Sequence, residues 1–177
     1  VKNISNAVWT FISGKKDDMF DKRGDFSIKG EIDILDFTNP LLNIDVKTNE
    51  LPLDLVQNDL FIVLSSDLSI SGSALKPDIE GSIDVLEGTL TAIPKSSSGG
   101  GEEIPFNLSL IIRIPDNFWV ITDMIEAKGM GEITLETINN SLSIQGEVQT
   151  QHGKFTTTGL TFNIDKGNVT FDQIGIF

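Results

Sequence analysis

The amino-acid sequence predicts an all-β protein built from a long array of strands, and three observations support this fold class. Apolar and polar residues alternate in short runs along most of the 177-residue chain. Turn-forming residues separate these runs at the spacing of a strand array, about every eight to twelve residues. Ile, Val, Thr and Phe dominate the apolar residues, and the 3.6-residue period of helices is missing. We therefore expect strands that are joined mostly by hairpins.

The first 24 residues have the least regular pattern. Val8-Trp9-Thr10-Phe11-Ile12 is followed by the polar stretch Gly14–Asp18, and this segment does not choose between helix and strand. The chain begins with neither an initiator methionine nor a signal-peptide pattern, so we expect an excised piece of a longer protein. We predict residues 1–24 as an irregular, truncated segment and residues 25–177 as the β domain.

Within the β domain, alternating runs mark the strands in order. The clearest runs, each with a period of two, are Phe26–Ile34, Asp67–Gly72, Ile79–Val85, Phe106–Ile114 and Leu142–Val148. Between the third and fourth runs, residues 96–103 are rich in Ser and Gly and lie between two prolines, which predicts a flexible loop. We interpret this loop as a long hairpin excursion inside one domain.

The end of the chain carries the most regular alternation. Leu160, Phe162 and Ile164 fall on one face of a strand, and Val169 and Phe171 resume the alternation. The intervening Asp165–Gly167 predicts a tight turn with its glycine at positive φ. We therefore expect a closing hairpin whose apolar residues all lie on one face.

An imperfect repeat runs through the chain. The pattern Ile79-x-Gly81-x-Ile83-x(4)-Gly88-x-Leu90 returns 65 residues later, from Ile144 to Phe155, and Ile28-x-Gly30-x-Ile32 is a weaker copy. Five glycines within the strands alternate in step with the flanking apolar residues and so fall on the same face: Gly30, Gly72, Gly81, Gly131 and Gly146. Such glycines either bend the sheet or mark bulges and tight contacts between two sheet layers.

Composition excludes several function classes. The net charge is −13 with no dense Lys/Arg cluster, so nucleic acid is not an expected partner. There is no cysteine, and His152, expected in a solvent-exposed turn, is the only histidine. A His-based triad or a multi-histidine zinc site therefore cannot be assembled. No apolar run reaches the roughly 20 residues of a transmembrane helix. We expect no enzyme activity, no catalytic residues, no metal and no cofactor.

Four segments together resemble the C-terminal domain of the TamB family, the inner-membrane subunits of the translocation and assembly module. They are Ser71–Leu90, Pro115–Val120, Ser141–Val148 and Gly153–Asp172, and they follow the order of the family pattern. The resemblance covers residues from about 60 to 172. A departure at Glu136–Asn140, where the family often has Gly and Pro, leaves the local turn open.

The resemblance implies a β-taco, a sheet folded lengthwise around an open apolar groove. It also implies the periplasm of a diderm bacterium, with a tether to the inner membrane through a part of the protein outside this fragment. Similar AsmA-like and bridge-like lipid-transfer proteins are thought to conduct phospholipid. The implied partners are phospholipid acyl chains and an outer-membrane barrel like TamA or BamA.

The alternating residues supply a candidate lipid groove. The residues expected to line it are Ile28, Ile32, Ile34, Leu68, Ile70, Ile83, Val85, Leu108, Leu110, Ile112, Ile114, Ile133, Leu135, Ile144, Val148, Phe162, Ile164, Val169 and Phe171.

Three functions use these residues differently. The first is a periplasm-spanning conduit that carries phospholipid between the inner and outer membranes and supports outer-membrane biogenesis. The second is a chaperone or assembly module for outer-membrane β-barrel proteins or autotransporters. The third is a structural β-sandwich repeat, in which the same residues pack against a second sheet.

Overall fold

A computed structural model describes residues 2–11, 24–55, 59–92 and 104–175. Its elements are β1 (Lys2–Phe11), β2 (Gly24–Asp33), β3 (Leu41–Leu55), β4 (Leu60–Ser73), β5 (Lys76–Leu90), β6 (Asn107–Ile121), β7 (Ile125–Ile138), β8 (Ser141–Thr157), β9 (Leu160–Ile164) and β10 (Gly167–Gly175). The described residues contain no helix. The all-β prediction is confirmed.

All ten strands belong to one sheet. The strands follow chain order from β1 to β8, and both β9 and β10 pair with β8. Extensive contacts occur only between strands that are neighbours in this sheet. The sheet is therefore open and, within the described ranges, has no second layer, consistent with a taco-like curved sheet.

Short turns whose central residues have positive φ join two of the antiparallel strand pairs. Asn139 and Asn140 connect β7 to β8 with φ values of 52° and 62°, and Thr158 and Gly159 connect β8 to β9 with φ values of 45° and 81°. Positive φ at both central residues gives a backbone twist that matches the twist of the flanking strands. The Asn pair therefore makes a regular hairpin turn at the point where the sequence departs from the family pattern.

The pairing of β5 with β6 differs from the prediction. These strands run parallel, with Ile79 opposite Leu108 and Leu90 opposite Val120. A hairpin joins antiparallel strands, so the expected hairpin excursion between β5 and β6 is wrong. The predicted flexible loop at 96–103 itself lies outside the described residues.

The start of the chain is now partly defined. β1 pairs antiparallel with β2, from Lys2 opposite Ile32 to Phe11 opposite Gly24. The segment for which the sequence left helix and strand open is therefore a strand over Lys2–Phe11. Of the other residues in this segment, 1 and 12–23 lie outside the described part and Gly24 begins β2, and the domain boundary at 24/25 stays a prediction.

Candidate functional site

The strand register divides the sheet into an apolar face and a polar face. Residues that are directly opposite each other on paired strands point to the same face. Following these pairs gives a row from β3 to β8 that consists of Val46, Leu68, Gly81, Leu110, Leu135 and Ile144. The adjacent row on the other face consists of Asp45, Ser69, Glu80, Ser109, Glu136 and Ser143. One face is therefore continuous and apolar across the sheet.

The register brings nearly all the predicted groove residues onto this apolar face. The exception is Ile34, which lies beyond the end of β2 in the connection to β3. The residues that share the face are Ile28, Ile32, Leu68, Ile70, Ile83, Val85, Leu108, Leu110, Ile112, Ile114, Ile133, Leu135, Ile144, Val148, Phe162, Ile164, Val169 and Phe171. Their contact with lipid stays a prediction.

The sequence repeat contains a four-residue spacer, which would place the residues before and after it on opposite faces of a regular strand. Two bulges restore them to the same face. Leu86 is an extra residue in β5 relative to β4, and Gln151 is an extra residue in β8 relative to β7. These two positions are 65 residues apart and thus equivalent in the sequence repeat. A single extra residue reverses the alternation of side chains. Val85 and Gly88 consequently lie on the same face although their positions differ by three.

The closing hairpin predicted at Asp165–Gly167 is wrong. β9 and β10 lie end to end along one edge of β8, since Ile164 is opposite Gly153 and Gly167 is opposite Thr150. The register across this break is continuous, and the turn lies earlier, at Thr158–Gly159. Gly167 is not among the glycines with positive φ.

The apolar residues on either side of that break nevertheless share one face. Phe162 is opposite Phe155 and Val169 is opposite Val148. The bulge at Gln151 reverses the alternation of β8 between these two pairs. The prediction about the face therefore agrees with the register, whereas the turn that was to produce it does not exist.

The strand glycines let neighbouring backbones approach closely within the sheet. A Cβ built on Gly81 would lie 2.1 Å from the Asp67 carbonyl oxygen, and one built on Gly146 would lie 2.2 Å from that of Glu132. Both glycines have φ values that L-residues rarely adopt, 142° and 133°. The close contacts are with the adjacent strand, not with another layer. Such glycine kinks bend a sheet, as the predicted curved fold requires.

No other element described in the structure covers the apolar face. Only Val63, Leu64, Val85, Leu110 and Ala127 are buried among the described hydrophobic residues, and none of the large side chains described is completely buried. Towards the C-terminal edge the exposed fraction reaches 52% for Phe162 and 55% for Val169. The ring of Phe162 lies 6.5 Å from that of Phe155, so the edge presents an aromatic pair. The apolar face can thus accept an apolar ligand.

The sequence interpretation missed part of this face. Strand β3 and the first half of β4 contribute residues that were not predicted, and so do β6, β7 and β8: Leu42, Ile44, Val46, Leu51, Leu53, Leu60, Ile62, Leu64, Phe118, Val120, Ile125 and Phe155. The alternation in β3 was a usable signal. A bulge at Asn49-Glu50, where Glu50 has φ 49° and its N–H donates to Ser65 Oγ, breaks that alternation.

The polar face is organised by cross-strand ion pairs. The guanidinium of Arg113 in β6 lies 3.2 Å from the Asp84 carboxylate in β5 and 3.4 Å from the Glu132 carboxylate in β7. On β3, the Lys47 ammonium lies 2.6 Å from the Asp67 carboxylate of β4, and this hydrogen bond raises the pKa of Lys47. All these groups are exposed, so each pair stabilises the sheet only slightly.

One apolar cleft interrupts the polar face. Phe61 of β4 and Trp119 of β6 flank Thr89 of β5 in one row, and the cleft that they line with Val63 has a volume of about 240 Å³. Val63 is buried although it lies on the polar face. Sequence reasoning missed this cleft because Phe61 and Val63 continue an uninterrupted apolar run in β4.

The only histidine of the chain lies on the polar face of the sheet. His152 is exposed as expected, but it lies within β8 opposite Lys128 and not in a turn. Within the described ranges, no three His, Cys, Asp or Glu side chains are arranged to hold a metal ion. The same ranges hold no helix long and apolar enough to span a membrane.

Comparison with known proteins gives one family. The family model for the TamB C-terminal domain matches residues 15–176. No curated protein matches the chain.

Proposed function

Because the chain belongs to the TamB family through a C-terminal domain over residues 15–176, we propose that its apolar sheet face binds phospholipid acyl chains. In this proposal the domain is one segment of a periplasm-spanning protein that carries phospholipid between the inner and outer membranes and thereby supports outer-membrane biogenesis. The protein resides in the periplasm of a diderm bacterium. The proposal includes a tether to the inner membrane.

One observation carries the proposal: a continuous apolar face that no other described element covers. A large exposed apolar surface on a water-soluble sheet is unfavourable, about 25 cal/mol for each Å² in contact with water, unless something covers it. Acyl chains fit because the face is lined by aliphatic side chains along every strand from β3 to β8 and offers few polar groups. Two of the polar side chains on this face, Thr48 and Ser66, form a hydrogen bond with each other, with their Oγ atoms 2.9 Å apart.

The sandwich alternative would cover the same residues with a second sheet. All ten described strands belong to one sheet, so this alternative finds no support in the topology.

The decisive experiment compares two neighbouring residues of β6. Ile112 points to the apolar face and Ile111, 37% exposed, points to the polar face. We expect Ile112→Asp to abolish binding of phosphatidylglycerol, measured by native mass spectrometry after lipid loading, because a charge among acyl chains is strongly unfavourable. Ile111→Asp introduces the same charge into the same strand and should leave binding intact.

The far-UV circular dichroism of both variants should remain that of a β-sheet, since an open face lets the new carboxylate keep part of its water. Equal lipid binding by Ile112→Asp and the wild type would refute the proposal. Unfolding of Ile112→Asp alone would indicate that the face is a closed core.

A second function, assembly of outer-membrane β-barrel proteins or autotransporters, is favoured by the C-terminal edge. Among the described strands, β9 and β10 pair only with β8, which lies on one side of them. A strand from a barrel protein of the TamA or BamA kind could extend the sheet there through main-chain hydrogen bonds. Site-specific crosslinking from Thr161 or Asn163, both exposed on β9, tests this possibility.

A further inference from the structure

The C-terminal edge of the sheet contains a small polar cleft at the border of the apolar face. Backbone pairing between β8 and the outer strand stops at Ile164 opposite Gly153 and resumes at Gly167 opposite Thr150. At this interruption a cleft of about 300 Å³ opens, lined by Gln149, Thr150, Lys166, Gly167 and Asn168.

The cleft contains a cation that no described residue holds in an ion pair. The chain has a net charge of −13, and Lys47, Arg113 and Lys128 are each held in an ion pair. In the described part of the chain, no carboxylate lies within ion-pair distance of the exposed Lys166 ammonium. Asn168, also exposed, adds an amide next to it. The cleft thus offers a cation and a neutral hydrogen-bond donor to an anion.

The internal geometry keeps the cleft open. The Thr150 hydroxyl donates to the carbonyl oxygens of Lys128 and His152 and so occupies the bulge of β8. A Cβ on Gly167 would lie 2.7 Å from Cγ2 of Thr150, so only glycine leaves this space free. The Gln149 amide donates to the Glu147 carboxylate, which reduces the repulsion that this carboxylate would exert on an anion.

Apolar residues flank the cleft on the other face. Ile164 precedes the interruption and Val169 follows it, and both lie on the apolar face. A phospholipid whose acyl chains lie on that face must keep its headgroup in water, which is available at the edge of the sheet. The cleft combines a cation with an adjacent apolar surface at this edge.

We propose that this edge cleft binds the phosphodiester of a phospholipid headgroup, with Lys166 as the cation and Asn168 as a hydrogen-bond donor. Charge-assisted hydrogen bonds from an ammonium to phosphate oxygens are among the stronger polar contacts in proteins. This inference rests on the proposed binding of acyl chains to the apolar face.

The test uses two soluble lipids with the same acyl chains, dioctanoylphosphatidylglycerol and dioctanoylglycerol, and the whole domain. We expect isothermal titration to give tighter binding of the phospholipid by the wild type. Lys166→Gln should weaken phosphatidylglycerol binding about tenfold and leave dioctanoylglycerol binding unchanged. Lys29→Gln, on the polar face of β2, removes the same charge and is the control for long-range attraction.

The outcomes separate the two proposals. If the wild type binds neither lipid, the acyl-chain proposal fails and the headgroup site fails with it. If both lipids bind and Lys166→Gln weakens neither, or weakens both equally, the headgroup site alone is refuted. Asn168→Ala is a second variant, for which a smaller, phosphatidylglycerol-specific loss is expected. A loss with Lys29→Gln as large as with Lys166→Gln would show a general charge effect and overturn the assignment.

Discussion

Three glycine-to-alanine variants test how the sheet is bent, two in strands on the apolar face and one in the β8–β9 turn. Gly81→Ala combines two penalties: its φ of 142° is unfavourable for alanine, and the new Cβ would lie 2.1 Å from the Asp67 carbonyl oxygen. Gly131→Ala brings the same 2.1 Å contact, with the Glu147 carbonyl oxygen, at a φ outside the left-handed region. Gly159→Ala has φ 81° and no neighbouring atom within 4 Å, so only the backbone penalty applies.

The magnitudes follow from these two penalties. A left-handed φ costs an L-residue roughly 1–2 kcal/mol, which is the expected loss of unfolding free energy for Gly159→Ala. Moving a neighbouring strand to relieve the contact costs about 1–3 kcal/mol. Gly81→Ala, which combines both penalties, should therefore lose about 2–5 kcal/mol. For a chain of this length each kcal/mol lowers the melting temperature by about 2–4 °C, so Gly81→Ala should melt roughly 10 °C below the wild type.

Thermal unfolding followed by far-UV circular dichroism measures the three losses, and hydrogen exchange locates them. Protection should fall along β4 and β5 in Gly81→Ala, and only near the β8–β9 turn in Gly159→Ala. The reasoning would be refuted by equal melting temperatures for Gly81→Ala and Gly159→Ala, because the close approach of the strands would then contribute nothing.

Two further predictions concern the edge strand and a turn. Gly167→Val should destabilise the domain by about 1–3 kcal/mol because the valine side chain displaces Thr150, but the strand register should not change. Hydrogen exchange should show a local loss of protection in β8. A changed register would contradict the continuous pairing of β9 and β10 with β8. The hydrogen bond from the Thr38 hydroxyl, followed by that from the Thr38 N–H, lowers the pKa of Asp36 in the β2–β3 connection. The stabilisation from Asp36 is therefore fully present above the ordinary carboxyl pKa of about 3.9, and it is lost as the pH falls through the lowered pKa. In urea titrations, Asp36→Ala should be less stable than the wild type at pH 7 and equally stable at low pH.

The sequence alone determined the class of the fold and most members of the apolar face. Side chains in a strand alternate with a period of two, so Leu108, Leu110 and Ile112 had to share a face whatever the strand paired with. The resemblance in Ser71–Leu90 and the later segments also led to the family that the comparison identifies.

Only the tertiary structure decided which face each alternating segment presents relative to its neighbours, and how the strands are connected. Phe162 has an even number and Val169 an odd one, so in a regular strand they would lie on opposite faces. They share a face because a bulge at Gln151 in β8 shifts the pairing. Leu90 and Asn107 flank a connection between parallel strands, which local sequence cannot distinguish from a long hairpin. Alternation is a local property of a strand, whereas bulges and strand direction depend on main-chain hydrogen bonds to residues distant in the sequence.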